Sequence, residues 1–214
     1  MNITIIGPGK MGHAIGTRAV AGGHSVTFVG GTPEDIAQAV KAVKPSAQKG
    51  AKVSTANLAE VELGEVVVLA VRYGTNIEVT KQLGARLAGK VLVDIANPLN
   101  QAYDGLATPP DSSSAEEVAR AAAPGTRVVK AFNTTFAGTL RAGKVAGQPL
   151  DVFLAGDDAD AKDRVAQLAK DGGLRPIDAG PLQRARQIEA MQFLHITLQN
   201  TLGSNWGSTI KILS

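Results

Sequence analysis

Gly7-Pro8-Gly9-Lys10-Met11-Gly12 fits the spacing G-x-G-x-x-G. In that spacing the first glycine permits a tight turn. The second lets the backbone approach a pyrophosphate, and the third lets a helix pack closely on a strand. The string is specific only in context. Here it follows the apolar run "NITII" and opens an apolar-periodic stretch, and a second apolar run, "SVTFV", comes soon after. That strand–turn–helix setting is what a dinucleotide-binding turn requires. The helix N-terminus would offer N–H donors and a partial positive charge to the phosphates.

The end of the second strand decides which dinucleotide fits. A carboxylate there bonds the adenosine ribose 2′-OH and repels a 2′-phosphate. This chain has Val29-Gly30-Gly31-Thr32, so NADP is favoured over NAD. Thr32 could donate to a phosphate, and the Gly30 and Gly31 amides could approach one. Thr32-Pro33-Glu34-Asp35 also reads as a plain helix N-cap, with proline at the first helical position and acids in the first turn. Arg18 and Lys41 are candidate positive partners. Glu34 and Asp35 oppose a phosphate unless they point away.

Composition narrows the class. The chain has 214 residues, 44% hydrophobic and 19% charged, with a formal charge of +3 and no cysteine. Disulfides, thiolate metal sites and a cysteine nucleophile are excluded. There is no long basic run to read nucleic acid, and no apolar run long enough to span a membrane. The N-terminus enters an apolar strand without a basic leader, which fits a cytoplasmic chain. No metal site and no Ser-His-Asp or paired-carboxylate arrangement is evident, so no acid–base residue is expected.

The elements that would position the turn alternate. Strands are expected near 2–6, 25–29, 51–54, 65–71, 90–95 and 127–132, and helices near 10–22, 33–43, 75–88 and 114–123. Unbroken β-branched runs such as "EVVVLAV" and "KVLVDIA" suit strands buried on both faces. The expected fold is α/β, a Rossmann-type doubly wound, mostly parallel sheet with a small C-terminal α/β appendage. The appendage would comprise strands near 151–155 and 174–178 and helices near 158–171 and 182–203. Residues 1–148 would form the NADP-binding domain and 149–214 the small second domain. Ser114-Ala115-Glu116-Glu117 reads as a capping box. The Pro/Gly-rich stretch 98–113 is a loop long enough to be functional.

Beyond the glycine turn, "VVVLAVRY", "VLVDIANPLN", "VVKAFNTTFAGTL", "DVFLAGDDADAK" and "GLRPIDAGPLQRARQIEAM" occur in order over nearly the whole chain. Together they resemble the F420-dependent NADP oxidoreductases, a family that is also similar to the NADPH domain of the STEAP metalloreductases. The resemblance implies hydride transfer between NADPH and coenzyme F420 or a flavin-like acceptor, and a homodimer. It places the pyrophosphate at Gly7 to Gly12 and the 2′-phosphate at Gly30, Gly31 and Thr32. Ala70, Val71 and Arg72 would lie beneath the riboses, with Asn97, Pro98 and Ala137 by the nicotinamide. Asn133, Thr134, Thr135, Phe136 and the Ile210 region would border the second ring. The chain departs from the family pattern at Gly31-Thr32, at Ala70-Val71-Arg72, and at Asn133-Thr134, where many members have His-Thr. Reduction of another small electrophile (a quinone or an imine) and a non-catalytic NADP sensor remain alternative readings. His13, His24 and His195 are expected to be structural. Trp206 would cover a ring or a dimer seam.

Overall fold

The aliphatic runs that form the middle of the sheet, Val66–Leu69 and Val91–Asp94, are buried at every residue. Strands shielded on both faces need helices on both sides, and the chain supplies them by alternation. The structure, a computed structural model, describes residues 1–213; Ser214, the end of the expected second domain, lies outside them. In chain order the elements are β1 (Asn2–Ile6), α1 (Lys10–Ala21), β2 (Ser25–Val29), α2 (Pro33–Val43), β3 (Val53–Ala56) and β4 (Val66–Leu69). Then come α3 (Thr75–Leu83), β5 (Val91–Asp94), α4 (Ser114–Ala121), β6 (Arg127–Lys130), α5 (Ala137–Ala142) and the short hairpin β7 (Lys144–Val145) and β8 (Gln148–Pro149). Last are β9 (Asp151–Gly156), α6 (Ala159–Asp171), β10 (Arg175–Asp178) and α7 (Ala185–Leu202).

Among the described residues eight strands form one sheet, in the order β10-β9-β6-β5-β4-β1-β2-β3. From β3 to β6 all pairs are parallel, in the doubly wound order whose crevice opens between β1 and β4. β9 joins β6 in antiparallel register, Val129 to Gly156 and Lys130 to Ala155, and β10 runs parallel to β9. The α/β appendage thus adds its two strands to the same sheet.

Local chemistry sets several boundaries. Thr32 caps α2: its hydroxyl accepts from the Asp35 amide, and the Asp35 carboxylate accepts from the Thr32 amide at 2.9 Å. For α4 the N-cap is Ser113, one residue earlier than the sequence reading, and the reciprocal backbone bond of a capping box is not formed. Ser113 accepts from the Glu116 amide and donates to its carboxylate at 2.8 Å. "SSSAEE" fits the S-x-x-E pattern in two registers, and the one adopted frees Ser114 to turn inward. α3 stops at Leu83, because Gly84 turns the backbone at φ +50°, and a 3-10 turn fills the rest of the expected helix. α5 and the β7–β8 hairpin were not expected; elements of six and two residues leave no periodicity to read. No helix among the described residues is long and apolar enough to cross a membrane.

Candidate functional site

The glycine turn is built as its spacing requires. Gly7 holds φ +104°, and a Cβ on it would lie 2.4 Å from the Ala70 carbonyl oxygen. A Cβ on Gly12 would lie 2.2 Å from the Gly7 carbonyl oxygen. The strand, the turn and the helix therefore pass in backbone contact. Gly9 is the opposite case: a Cβ there would meet nothing within 4 Å. It caps α1 without any side-chain hydrogen bond, so the helix N-terminus faces open space with its N–H groups available. That cradle fits a pyrophosphate.

At the strand-two corner Gly30 (φ +83°) also faces open space, whereas a Cβ on Gly31 would strike Pro8 at 2.6 Å. Thr32 is spent on the helix cap, its hydroxyl also donating to Asp35 at 2.9 Å. Asp35 does not point away from the corner, and its bonds to the Thr32 amide and hydroxyl hold its carboxyl below the usual range. Neither candidate cation is there. Arg18 reaches the Gly172 carbonyl, on the far side of α1, and Lys41 sits in the last turn of α2. The exposed Asp35 charge thus weakens a phosphate at this corner. Asp35→Asn is expected to tighten NADP+ about three- to tenfold while leaving NAD+ within twofold, as measured by calorimetric titration. Equal changes for both dinucleotides would refute this.

Two adjoining cavities open at the carboxyl ends of β1, β4 and β5. One, about 710 Å³, runs from Gly9 and Lys10 past Ala70, Val71 and Arg72 to Asn97. The other, about 400 Å³, is walled by Asn133, Thr135, Phe136, Ala137 and, from α7 and the tail, Gln192, Ile196 and Trp206. Lys10, Met11, Ile95, Asn97, Leu99 and Tyr103 line both. Leu99 and Tyr103 belong to the expected loop, which a Leu99–Leu106 bridge and an Asn100–Asp104 hydrogen bond of 2.7 Å fold over the junction. Sequence reasoning did not single out Tyr103, Gln192 or Ile196. An aromatic residue in a Gly/Pro-rich loop just after "ANPLN" was the available signal. A separate polar groove over β1–β3 shares no residue with either cavity, and its Thr27 and Ser54 hydroxyls satisfy each other at 2.9 Å.

Three expected positions fall elsewhere. Pro98 is buried, lines neither cavity, and accepts from the Ala107 amide through its carbonyl. Thr134 is buried behind the second cavity. Ile210 packs with Phe153 and Ile188 against β9, because the tail turns back along the appendage. Trp206 does reach the second cavity, edge-on to Phe136 with ring centroids 5.1 Å apart. His195 also packs on Phe136, with ring centroids 4.6 Å apart, and burial lowers its pKa, which favours the neutral ring.

The largest omission from the sequence reading lies beneath the junction. Asp94 and Lys130, the last residues of β5 and β6, are register partners and wholly buried. Lys130 Nζ lies 2.8 Å from Asp94 Oδ2 and 2.7 Å from Glu189 Oε1 of α7, and donates to the Ala96 carbonyl. Asn76 of α3 donates to Asp94 at 2.8 Å and to Ser114 at 2.9 Å. The Ser114 hydroxyl donates to Asp94, and its amide donates to Glu189 at 3.0 Å. Burial opposes charge on Lys130, but the two carboxylates outweigh it and raise its pKa. Burial pushes Glu189 up despite the lysine beside it. Three helices are thereby tied to the strand ends that carry Ala96 and Asn97.

Comparison with known proteins shows the family. Residues 2–98 match the family model "NADP oxidoreductase coenzyme F420-dependent". Over 208 residues, 92% of each chain, the sequence is 33% identical to the F420-dependent NADP reductase of Methanothermobacter marburgensis. The chain belongs to this family. An Arthrobacter sp. FB24 structure assigned as an F420-dependent NADP reductase superposes with a TM-score of 0.84 at 32% identity, covering 99% of both chains. The family's likeness to the STEAP proteins is also seen here, since rat metalloreductase STEAP3 is 31% identical over 189 residues. The chain spans 36% of that protein's length.

Proposed function

We propose that the chain is an NADP-dependent oxidoreductase that passes a hydride between NADPH and a planar deazaflavin (coenzyme F420) or flavin ring. The observation that carries this reading is the pair of cavities with a shared wall. A dinucleotide laid from the Gly9 cradle along Ala70–Arg72 would bring its nicotinamide to Asn97, directly beside the second cavity. NADPH supplies the hydride from C4 of its dihydronicotinamide, and the acceptor takes it together with a proton. The protein's part is to hold two rings in near-attack geometry and exclude water. Met11, Ile95 and Leu99 give the junction apolar walls, and Tyr103 lies over it. Residues 1–148 would hold NADP, and 149–214 would supply the α7 and tail wall of the acceptor cavity.

Oxidation of NADPH followed at 340 nm tests this, with a deazaflavin, FMN, FAD and a simple quinone offered in turn and NADH as the control. Turnover with a deazaflavin or flavin is expected, faster with NADPH than with NADH. Tight NADPH binding without turnover on any acceptor would point instead to the sensor.

The chain is further proposed to act as a cytoplasmic homodimer. Leu194, Leu198 and Leu202 form an exposed apolar stripe along α7, 58%, 38% and 56% accessible, at the spacing of one helix face. Leu194→Glu is expected to halve the mass seen by sedimentation. A wild-type chain that sediments as a monomer would end this reading.

A further inference from the structure

The orientation of two buried amides follows from their partners, and together they describe the edge of a ligand. Asn97 Nδ2 donates to the backbone carbonyl of Asn133 at 3.1 Å. A carbonyl can only accept, so Asn97 must present Oδ1 on its other side. Asn133 Nδ2 donates to that oxygen at 3.0 Å. Asn133 Oδ1 is then left buried with no donor, in a residue only 1% exposed that walls the second cavity.

Gln192, also 1% exposed, walls the same cavity. Its Oε1 lies 3.2 Å from His195 Nδ1, and His195 Nε2 lies 2.8 Å from the Ser208 hydroxyl. Gln199 Nε2, oriented by its bond to the His195 carbonyl, donates to the Ser208 hydroxyl at 2.9 Å. The hydroxyl's one hydrogen then goes to His195 Nε2, its nearest acceptor, and Nδ1 carries the ring proton toward Gln192. Gln192 Oε1 is thereby occupied, and its Nε2 group is left for whatever fills the cavity. One wall therefore lacks a hydrogen-bond donor and the other lacks an acceptor.

We propose that the second cavity recognises an imide edge, –CO–NH–CO–. Asn133 Oδ1 accepts from the ring N–H, and Gln192 Nε2 donates to an adjacent carbonyl oxygen. This rests on the hydride-transfer reading and deepens it, because flavins and deazaflavins carry this edge and simple quinones do not. A buried acceptor left unpaired penalises a ligand that lacks the donor far more than an extra methylene would.

The test uses binding as well as turnover. Quenching of Trp206, the single tryptophan, reports ring binding in the presence of NADP+. FMN and a deazaflavin riboside are compared with their N3-methyl derivatives, on wild type, Asn133→Ala and Gln192→Leu. N3-methylation is expected to weaken binding roughly ten- to hundredfold in wild type and less than threefold in Asn133→Ala. Gln192→Leu should weaken the parent rings by roughly tenfold, with NADP+ affinity unchanged. Equal binding of methylated and parent rings, a methylation penalty that survives in Asn133→Ala, or no binding of either ring would overturn the proposal. The N–H could instead come from the nicotinamide carboxamide. If 3-acetylpyridine NADP+ loses affinity in wild type but not in Asn133→Ala, the Asn133 oxygen serves the cofactor and the imide assignment falls. Turnover with flavins but no effect of N3-methylation defeats this inference alone. Absence of turnover with every acceptor defeats the hydride-transfer reading, whatever the binding data show.

Discussion

Lys130→Met is expected to cost about 3–5 kcal/mol, because it leaves two carboxylates buried without their cation. Asp94 and Glu189 both bond Lys130 directly, and all three side chains are at most 1% exposed. The response to pH is the more specific part of the expectation. The folded-state pKa of Glu189 is already raised by burial, and Lys130 is what restrains it. A carboxyl with a raised folded pKa contributes stability that is fully present below its unfolded value, about 4.3, and is lost as pH rises through the folded value. Without Lys130 that folded value climbs further and the loss at neutral pH grows. The variant should therefore gain stability between pH 7 and about 5, by several degrees in Tm, while the wild type changes less. Thermal melts at both pH values decide the matter. A variant as stable as wild type at pH 7, or one that loses stability in mild acid, would show that the network is not held together by this lysine.

Gly12→Ala is expected to lower NADP+ affinity by about a hundredfold or more and to destabilise the fold by about 2–4 kcal/mol. Its Cβ would lie 2.2 Å from the Gly7 carbonyl oxygen and 3.3 Å from Ile5 Cγ2, so the backbone of the turn must move. Gly9→Ala makes the matched control. Its Cβ meets no protein atom within 4 Å, so stability should stay within about 0.5 kcal/mol. Affinity for NADP+ should nonetheless fall, because the methyl would take the place proposed for the pyrophosphate. Calorimetric titration beside thermal denaturation separates the two effects. If Gly9→Ala binds NADP+ as wild type does, the phosphates do not lie over α1.

The parts of this molecule legible in the sequence are those governed by local pattern. Glycine spacing, proline at a helix start and unbroken β-branched runs all act within a few residues, and β1, α1, β2 and α2 lie where those signals put them. The two registers of "SSSAEE" could not be separated locally. The inward turn of Ser114 depends on Asp94, twenty residues away along the chain. The buried charge network was illegible for the same reason: Lys130 and Asp94 meet only because β5 and β6 pair in one register. Opposite charges closing two neighbouring apolar strands were the only trace of it. Gln192 gave no signal, since an amide on a helix takes on meaning only from what faces it, and Tyr103 gave only the weak one of an aromatic residue in a Gly/Pro-rich loop.

The antiparallel seam between β6 and β9 also bears on how ligands get in and out. Enzymes built from two lobes admit substrate by swinging about a hinge. Here β1, which carries the glycine cradle, and β9 and β10, which lead into α7, belong to one continuous sheet. The segments that cover the two cavities are small flaps. One is the loop carrying Tyr103, and the other is the short tail from Gly203 to Gly207 carrying Trp206, held at either end through Gln199, which accepts from Ser204 and donates to Ser208. Flaps of this size move in nanoseconds to microseconds, against microseconds to milliseconds for lobe closure. Exchange of one ring for the next would then keep pace with fast chemistry.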